Sequence, residues 1–166
     1  MPFTPFHLGP ALLIGLLMFR LLDLPTFLVA NVIVDIEPFL VLALGLPLPL
    51  HGFLHTYVGG SILAALLTLV MSSAREFLTG LTRVFRVEQK YSVKTIGLSS
   101  FSGIYLHILL DSFLYREMKP LYPLDVNPFL DALSSAQVYT LCSVSLAIGI
   151  MIYLAKLLEH RLKTNL

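Results

Sequence analysis

Residues 95–115 read TIGLSSFSGIYLHILLDSFLY, an apolar run in which only His107 and Asp111 can carry charge near neutral pH. At 1.5 Å per residue, a helix of this length reaches the roughly 30 Å thickness of a bilayer's hydrocarbon core. His107 and Asp111 are four residues apart, so a helix turns both to one side. A carboxylate at that depth costs about 2.5–3.5 kcal/mol even on the lenient insertion scale. Such a pair needs compensation from elsewhere in the chain, and the rest of the sequence can be searched for it.

The surrounding composition agrees with a membrane setting. Of 166 residues, 57% are hydrophobic and 13% charged, against about 25% charged in soluble domains. The expected fold is all-α: a polytopic transmembrane helical bundle of about five membrane segments plus a surface amphipathic helix. Residues 1–166 are expected to form a single integral membrane domain. The first segment covers about residues 7–22. It has no basic residue ahead of it and no convincing small-residue cleavage site, so it is expected to be mature structure rather than a signal peptide. The second begins after Asp23, an acid followed by Pro25 in the manner of a helix start. It reaches residues 34–37, where Pro38 biases Glu37 out of the helical region and is expected to break the helix. Residues 39–50 continue as a short helix or as irregular chain. The third segment starts near His51 or His55 and ends near residue 72. Residues 74–90 place Phe77, Leu81, Val84 and Phe85 on one face, with Arg75, Arg83 and Arg86 elsewhere, the pattern of a helix lying on a membrane surface. Segments four and five cover about residues 95–115 and 136–158.

Orientation follows from the cations. With the loop after segment three in the cytoplasm, nine of the 11 Lys and Arg residues fall on that side, and only Arg116 and Lys119 on the other. The N-terminus is then outside and the C-terminus cytoplasmic. Net charge is +1 and the single cysteine, Cys142, lies in an apolar run. No nucleic-acid partner is indicated, and neither a disulfide framework nor a cysteine-rich zinc site is available. Nothing in the sequence sets an oligomeric state.

Threading the segments in this orientation brings His7, Asp35, Glu37, His51, His55, His107 and Asp111 to the outer leaflet. The His51 and His55 pair repeats the four-residue spacing of His107 and Asp111. Asp35 and Glu37, at what is expected to be a helix C-terminus, oppose the macrodipole and so favour a cation partner. Any one histidine taken alone is usually hydrogen-bonded packing, and a lone Asp35 or Asp111 could pair with Arg116 or Lys119. Together, imidazoles and carboxylates suit a divalent metal, zinc first and manganese or iron next. Four ligands hold one ion, and six or seven permit two.

The order of motifs resembles the membrane-bound metal-dependent hydrolases, a bacterial and archaeal family. That family opens its first helix with a His, ends the second with Pro-Asp-x-Asp, opens the third with His-Arg-Gly-x-Thr-His-Ser and carries His-x-x-x-Asp later, before a Trp-Pro. Matching stretches here are His7-Leu8-Gly9, Val34-Asp35-Ile36-Glu37-Pro38, His51-Gly52-Phe53-Leu54-His55-Thr56, His107-Ile108-Leu109-Leu110-Asp111 and Leu121-Tyr122-Pro123. The resemblance spans roughly residues 5–123. Glu37 stands where the family has Asp, and the third element is one residue short, which puts His51 at the family's Arg. The resemblance therefore implies His55 as a ligand and His51 as either an outer-shell or a substrate-contacting group. The family's ligand order is in turn similar to zinc-dependent phospholipase C, which implies a phosphoester substrate by analogy.

The expected function is hydrolysis of a lipid or lipid-linked phosphoester among the membrane lipids, at the extracytoplasmic face. In this reading Asp35, His55, His107 and Asp111 are ligands, with His7 the next candidate. Glu37 is a ligand or the general base, and Arg116 and Lys119 neutralise phosphate. The alternative is a metal ion or proton transporter, or a metal-binding membrane protein without hydrolytic activity. A transporter would place ligands near the midplane with access from both faces.

Overall fold

The computed structural model describes residues 5–164, and among them every regular element is a helix. A 3-10 turn, Pro5–His7, leads into α1 (Leu8–Leu17). Next come α2 (Leu24–Ile33), α3 (Ile36–Ala43) and a second 3-10 turn, Phe53–His55. After these follow α4 (Tyr57–Ser73), α5 (Arg75–Val84), α6 (Val93–Ser112) and α7 (Ser135–Thr164).

The helix starts are written in local chemistry. Asp23 caps α2, its carboxylate accepting from the Thr26 amide at 3.2 Å, and Pro25 sits in the first turn where no amide proton is needed. Thr56 caps α4 through the Gly59 amide at 2.9 Å. Ser92 and Thr95 form a reciprocal capping box ahead of α6.

The break expected at Pro38 falls earlier. The chain kinks at Val34 and Asp35, and Pro38 lies in the first turn of α3, where its missing donor costs nothing. Asp35 is thus the N-cap of α3 while standing one residue past Val34, the C-cap of α2, so the expected opposition to the α2 dipole is offset by the positive end of α3. His51 and His55 do not share a helix face either. His51 lies in the irregular stretch before the second 3-10 turn, and His55 closes that turn.

The main packing pairs are α1 with α7, α2 with α6, and α4 with α6. At the crossing of α2 and α6, a side chain on Gly103 would collide with the Ala30 Cβ and the Asn31 amide, so glycine sets how closely the two helices approach. Ala30, Val34, Ala64, Ile104, Ile108 and Met118 form the centre of the core.

Three helical stretches are long and apolar enough to cross a membrane: Leu24–Ala43, Val93–Ser112 and Ser135–Lys163. α4 and α5 together make at most a fourth, bent by 76° at Ala74. The five crossings expected from the sequence are therefore not what the described residues show. The first apolar segment is a helix of only 10 residues, about 15 Å long. In α7 only 17% of the most apolar stretch is buried, so most of its hydrophobic surface has no protein partner. α5 is the amphipathic helix anticipated over residues 74–90, with Phe77, Leu81 and Val84 exposed, but Arg75 at its start is buried.

Candidate metal centre

The kink between α2 and α3, the 3-10 turn before α4 and the last turns of α6 meet at one end of the bundle. α6 carries His107 and Asp111 on one face, as the spacing requires, with His107 Nε2 3.2 Å from Asp111 Oδ2. The α2–α3 kink turns Asp35 inward, its Oδ1 3.6 Å from His107 Nε2. The turn Phe53–His55 delivers His55, whose Nε2 lies 3.9 Å from Asp111 Oδ2. One ligand atom from each of Asp35, His55, His107 and Asp111 lies within 4.8 Å of the other three, and all four residues are buried.

The imidazoles are held from behind. The His107 Nδ1–H donates to the Asn31 carbonyl at 2.8 Å, and the His55 Nδ1–H donates to Glu37 Oε2 at 2.8 Å. Each ring then presents the lone pair of Nε2 to the centre, the arrangement by which metal-binding histidines are oriented. His55 Nε2 is buried with no hydrogen-bond partner, and an unpaired acceptor in that position carries a desolvation cost that a cation would relieve.

Charge argues the same way. The ionic partners that the structure gives to Asp111 and Asp35 are all histidines. Two carboxylates and two neutral imidazoles sum to the charge that one divalent cation cancels. The group Asp35, His55, His107 and Asp111 could therefore hold a metal ion, and its donor set of two nitrogens and two oxygens suits zinc, iron or manganese without selecting among them.

The other expected residues take different places. His7 lies against the far side of Asp111, Nε2 to Oδ1 at 3.1 Å, with its ring stacked on His107. His51 Nε2 is 3.9 Å from Asp111 Oδ2, and its Nδ1 is 2.8 Å from Glu117. Glu37 is outside the four-donor group: besides His55, it accepts from the backbone amides of Gly52 and Leu54, so it fixes the turn that carries His55. Arg116 and Lys119 are exposed and pair with Asp131 and Asp125. The structure does not bring either cation into the buried group.

Three participants escaped the sequence reading. The Asn31 carbonyl is backbone and carries no side-chain signature. Glu117 sits in a charged loop and reads like any solvated acid. Tyr115 stacks on His51 with ring centroids 3.8 Å apart, a contact that no local pattern marks. Burial pushes the Glu117 carboxyl up, but the hydrogen bond and charge of His51 together with a backbone hydrogen bond outweigh it and hold the group below the usual carboxylate range.

No family model, curated protein or solved structure matches the chain. The motif order described above therefore rests on the residues alone.

Proposed function

We propose that this chain is an integral membrane hydrolase that uses a divalent ion, zinc first, to cleave a phosphoester of a lipid or lipid-linked substrate. The resemblance to the membrane-bound metal-dependent hydrolases supports that reading. The observation that carries it is the buried convergence of Asp35, His55, His107 and Asp111, with both imidazoles locked from behind by Asn31 and Glu37. A purely structural cluster has no need of two buried acids facing each other through neutral rings.

Each group has a task in this scheme. The two carboxylates and two Nε2 atoms hold the ion, which when bound lowers the pKa of a coordinated water towards neutrality and polarises the ester. Asn31 and Glu37 keep the imidazole lone pairs aimed inward. His7 restrains Asp111 from the side away from the ring of His51.

The substrate class follows from placement. The centre lies at the ends of apolar helices, at the level where headgroups would stand. An apolar groove of about 510 Å³ is lined by Leu8, Val29, Ile33, Ile36 and Phe39, among them the residues next to His7 and Asp35 in the chain. An acyl or isoprenoid chain in that groove would leave its phosphate near the centre. The distribution of Lys and Arg supports an extracytoplasmic position for this end. α1 supports the same orientation, since it runs from His7 beside Asp111 to the Phe19 carbonyl at Gln89, at the other end of the bundle.

The test is metal analysis of the purified chain, coupled to a turnover screen of phospholipids and isoprenoid phosphates. About one ion or more per chain, and loss of both ion and turnover in His107→Ala and Asp111→Ala, is the expected result. Absence of bound metal under every loading condition ends the proposal. Metal uptake with ion flux into liposomes but no cleavage favours the transporter instead.

A further inference from the structure

We infer that Glu117 is a positioning residue that holds His51 with its Nε2 lone pair turned to the centre, where His51 accepts a hydrogen bond from the attacking water; this rests on the hydrolytic reading above. Each of three rings has Nδ1 anchored on its outer side, but the anchors differ. His107 is tied to helix backbone and His55 to the partly buried Glu37. His51 is tied to a side chain that is 42% exposed, at the edge of the site.

The His51 ring itself has little freedom. It is buried, stacked on Tyr115, and meets His55 edge to face at 4.8 Å. Packing of this kind fixes the ring plane but leaves open which nitrogen carries the proton. The carboxylate of Glu117 decides that, because it accepts only: Nδ1 must donate to it, and Nε2 of the neutral ring is left as an acceptor. That acceptor is 3.9 Å from Asp111 Oδ2. The gap is too long for a direct hydrogen bond and short enough for one water to touch both atoms.

His51 also stands outside the four atoms that converge on one point, so it has no need to be a ligand. It lies between that group and Glu117, on the route from the buried donors to the exposed loop after α6. Glu37, the sequence's candidate for the base, faces away behind His55.

The ring nitrogens of His51, followed by 15N NMR on metal-free protein in nanodiscs, test the arrangement directly. Wild type should show the Nδ1–H form, whereas Glu117→Ala, and Glu117→Gln, whose amide donates as well as accepts, should lose that preference. Zinc stoichiometry should be equal in all three. Cleavage of bis(p-nitrophenyl) phosphate or phospholipid vesicles by the zinc-loaded protein should fall roughly tenfold or more in Glu117→Ala and by less in Glu117→Gln, which keeps one hydrogen bond to the ring. An unchanged tautomer in Glu117→Ala overturns the positioning role. Loss of zinc in that variant overturns it too, because His51 would then be a ligand. A wild type that binds zinc but cleaves neither probe removes the water-orienting role. One that binds no zinc sinks the hydrolytic reading as a whole, while the tautomer result still reports on Glu117 alone.

Discussion

Asp23 and Asp35 stand at opposite ends of α2, both buried, and the fold treats them in opposite ways. Asp23 is neutralised by the chain. Its Oδ1 meets Arg75 Nη1 at 2.6 Å, its Oδ2 accepts from Thr26, and its amide donates to Ser99. The Arg75 guanidinium lies over the ring of Tyr91 at 4.3 Å, and Gln89 ties down the carbonyls of Phe19 and Leu22. Asp35 has only histidines for ionic partners and shares them with a second acid, Asp111. Two polar clusters thus occupy the two ends of the same helix pair, α2 and α6. One is complete, with acid and base both supplied by the protein. In the other, histidines shared between two acids are the partners, a donor set that could also hold a metal ion.

The largest effect should come from breaking the complete cluster. Arg75→Met leaves Asp23 buried and unpaired, at a cost of about 3–5 kcal/mol. Denaturation in detergent should show that loss, and pairing the change with Asp23→Leu should recover most of it. Full stability in Arg75→Met alone would mean that Asp23 is solvated and that the contrast is false.

Second comes the metal-dependent stability of the other end. Saturation with zinc at about 100 times the dissociation constant should stabilise the wild type by about 2.7 kcal/mol, reversed by chelator. Asp111→Asn should abolish that response. Its metal-free stability should not fall below that of the metal-free wild type, because one of two like charges has been removed. A loss like that of Arg75→Met would indicate that Asp111 is already neutralised within the chain.

A smaller change tests the coupling between fold and site. Gly103→Ala forces α6 away from α2, and overpacking of this kind costs about 1–3 kcal/mol. The same displacement draws His107 from the Asn31 carbonyl, so zinc affinity should fall together with thermal stability. Stability lost with zinc affinity intact would show that the ring is held by other means. Least affected should be Lys119→Ala, an exposed ion-pair partner, with a stability change within about 0.5 kcal/mol and zinc binding unchanged.

Much of the fold was legible because it is local. The start of α2 at Asp23 and Pro25, the length of α6 and the shared face of His107 and Asp111 all follow from spacing and capping within a few residues. The site was legible as a set of residue types too expensive to place singly in an apolar run. The misreadings concern irregular chain. Pro38 occupies the first turn of a helix rather than the end of one, and the four-residue spacing of His51 and His55 falls in a stretch that forms a 3-10 turn.

The sequence alone thus determined that the chain is helical and apolar, and which side chains were candidates for a cation. Only the tertiary structure decided their ranks: four donors facing one point, Glu37 turned behind His55, and Glu117 brought to His51 from a loop 66 residues away. It also paired Asp23 with Arg75, which read from sequence as a helix start and as the polar side of a surface helix. Periodicity within one helix carries information over a few turns. Which carboxylate backs which ring depends instead on how separate helices cross, at contacts such as Gly103 against Ala30 that no local pattern encodes.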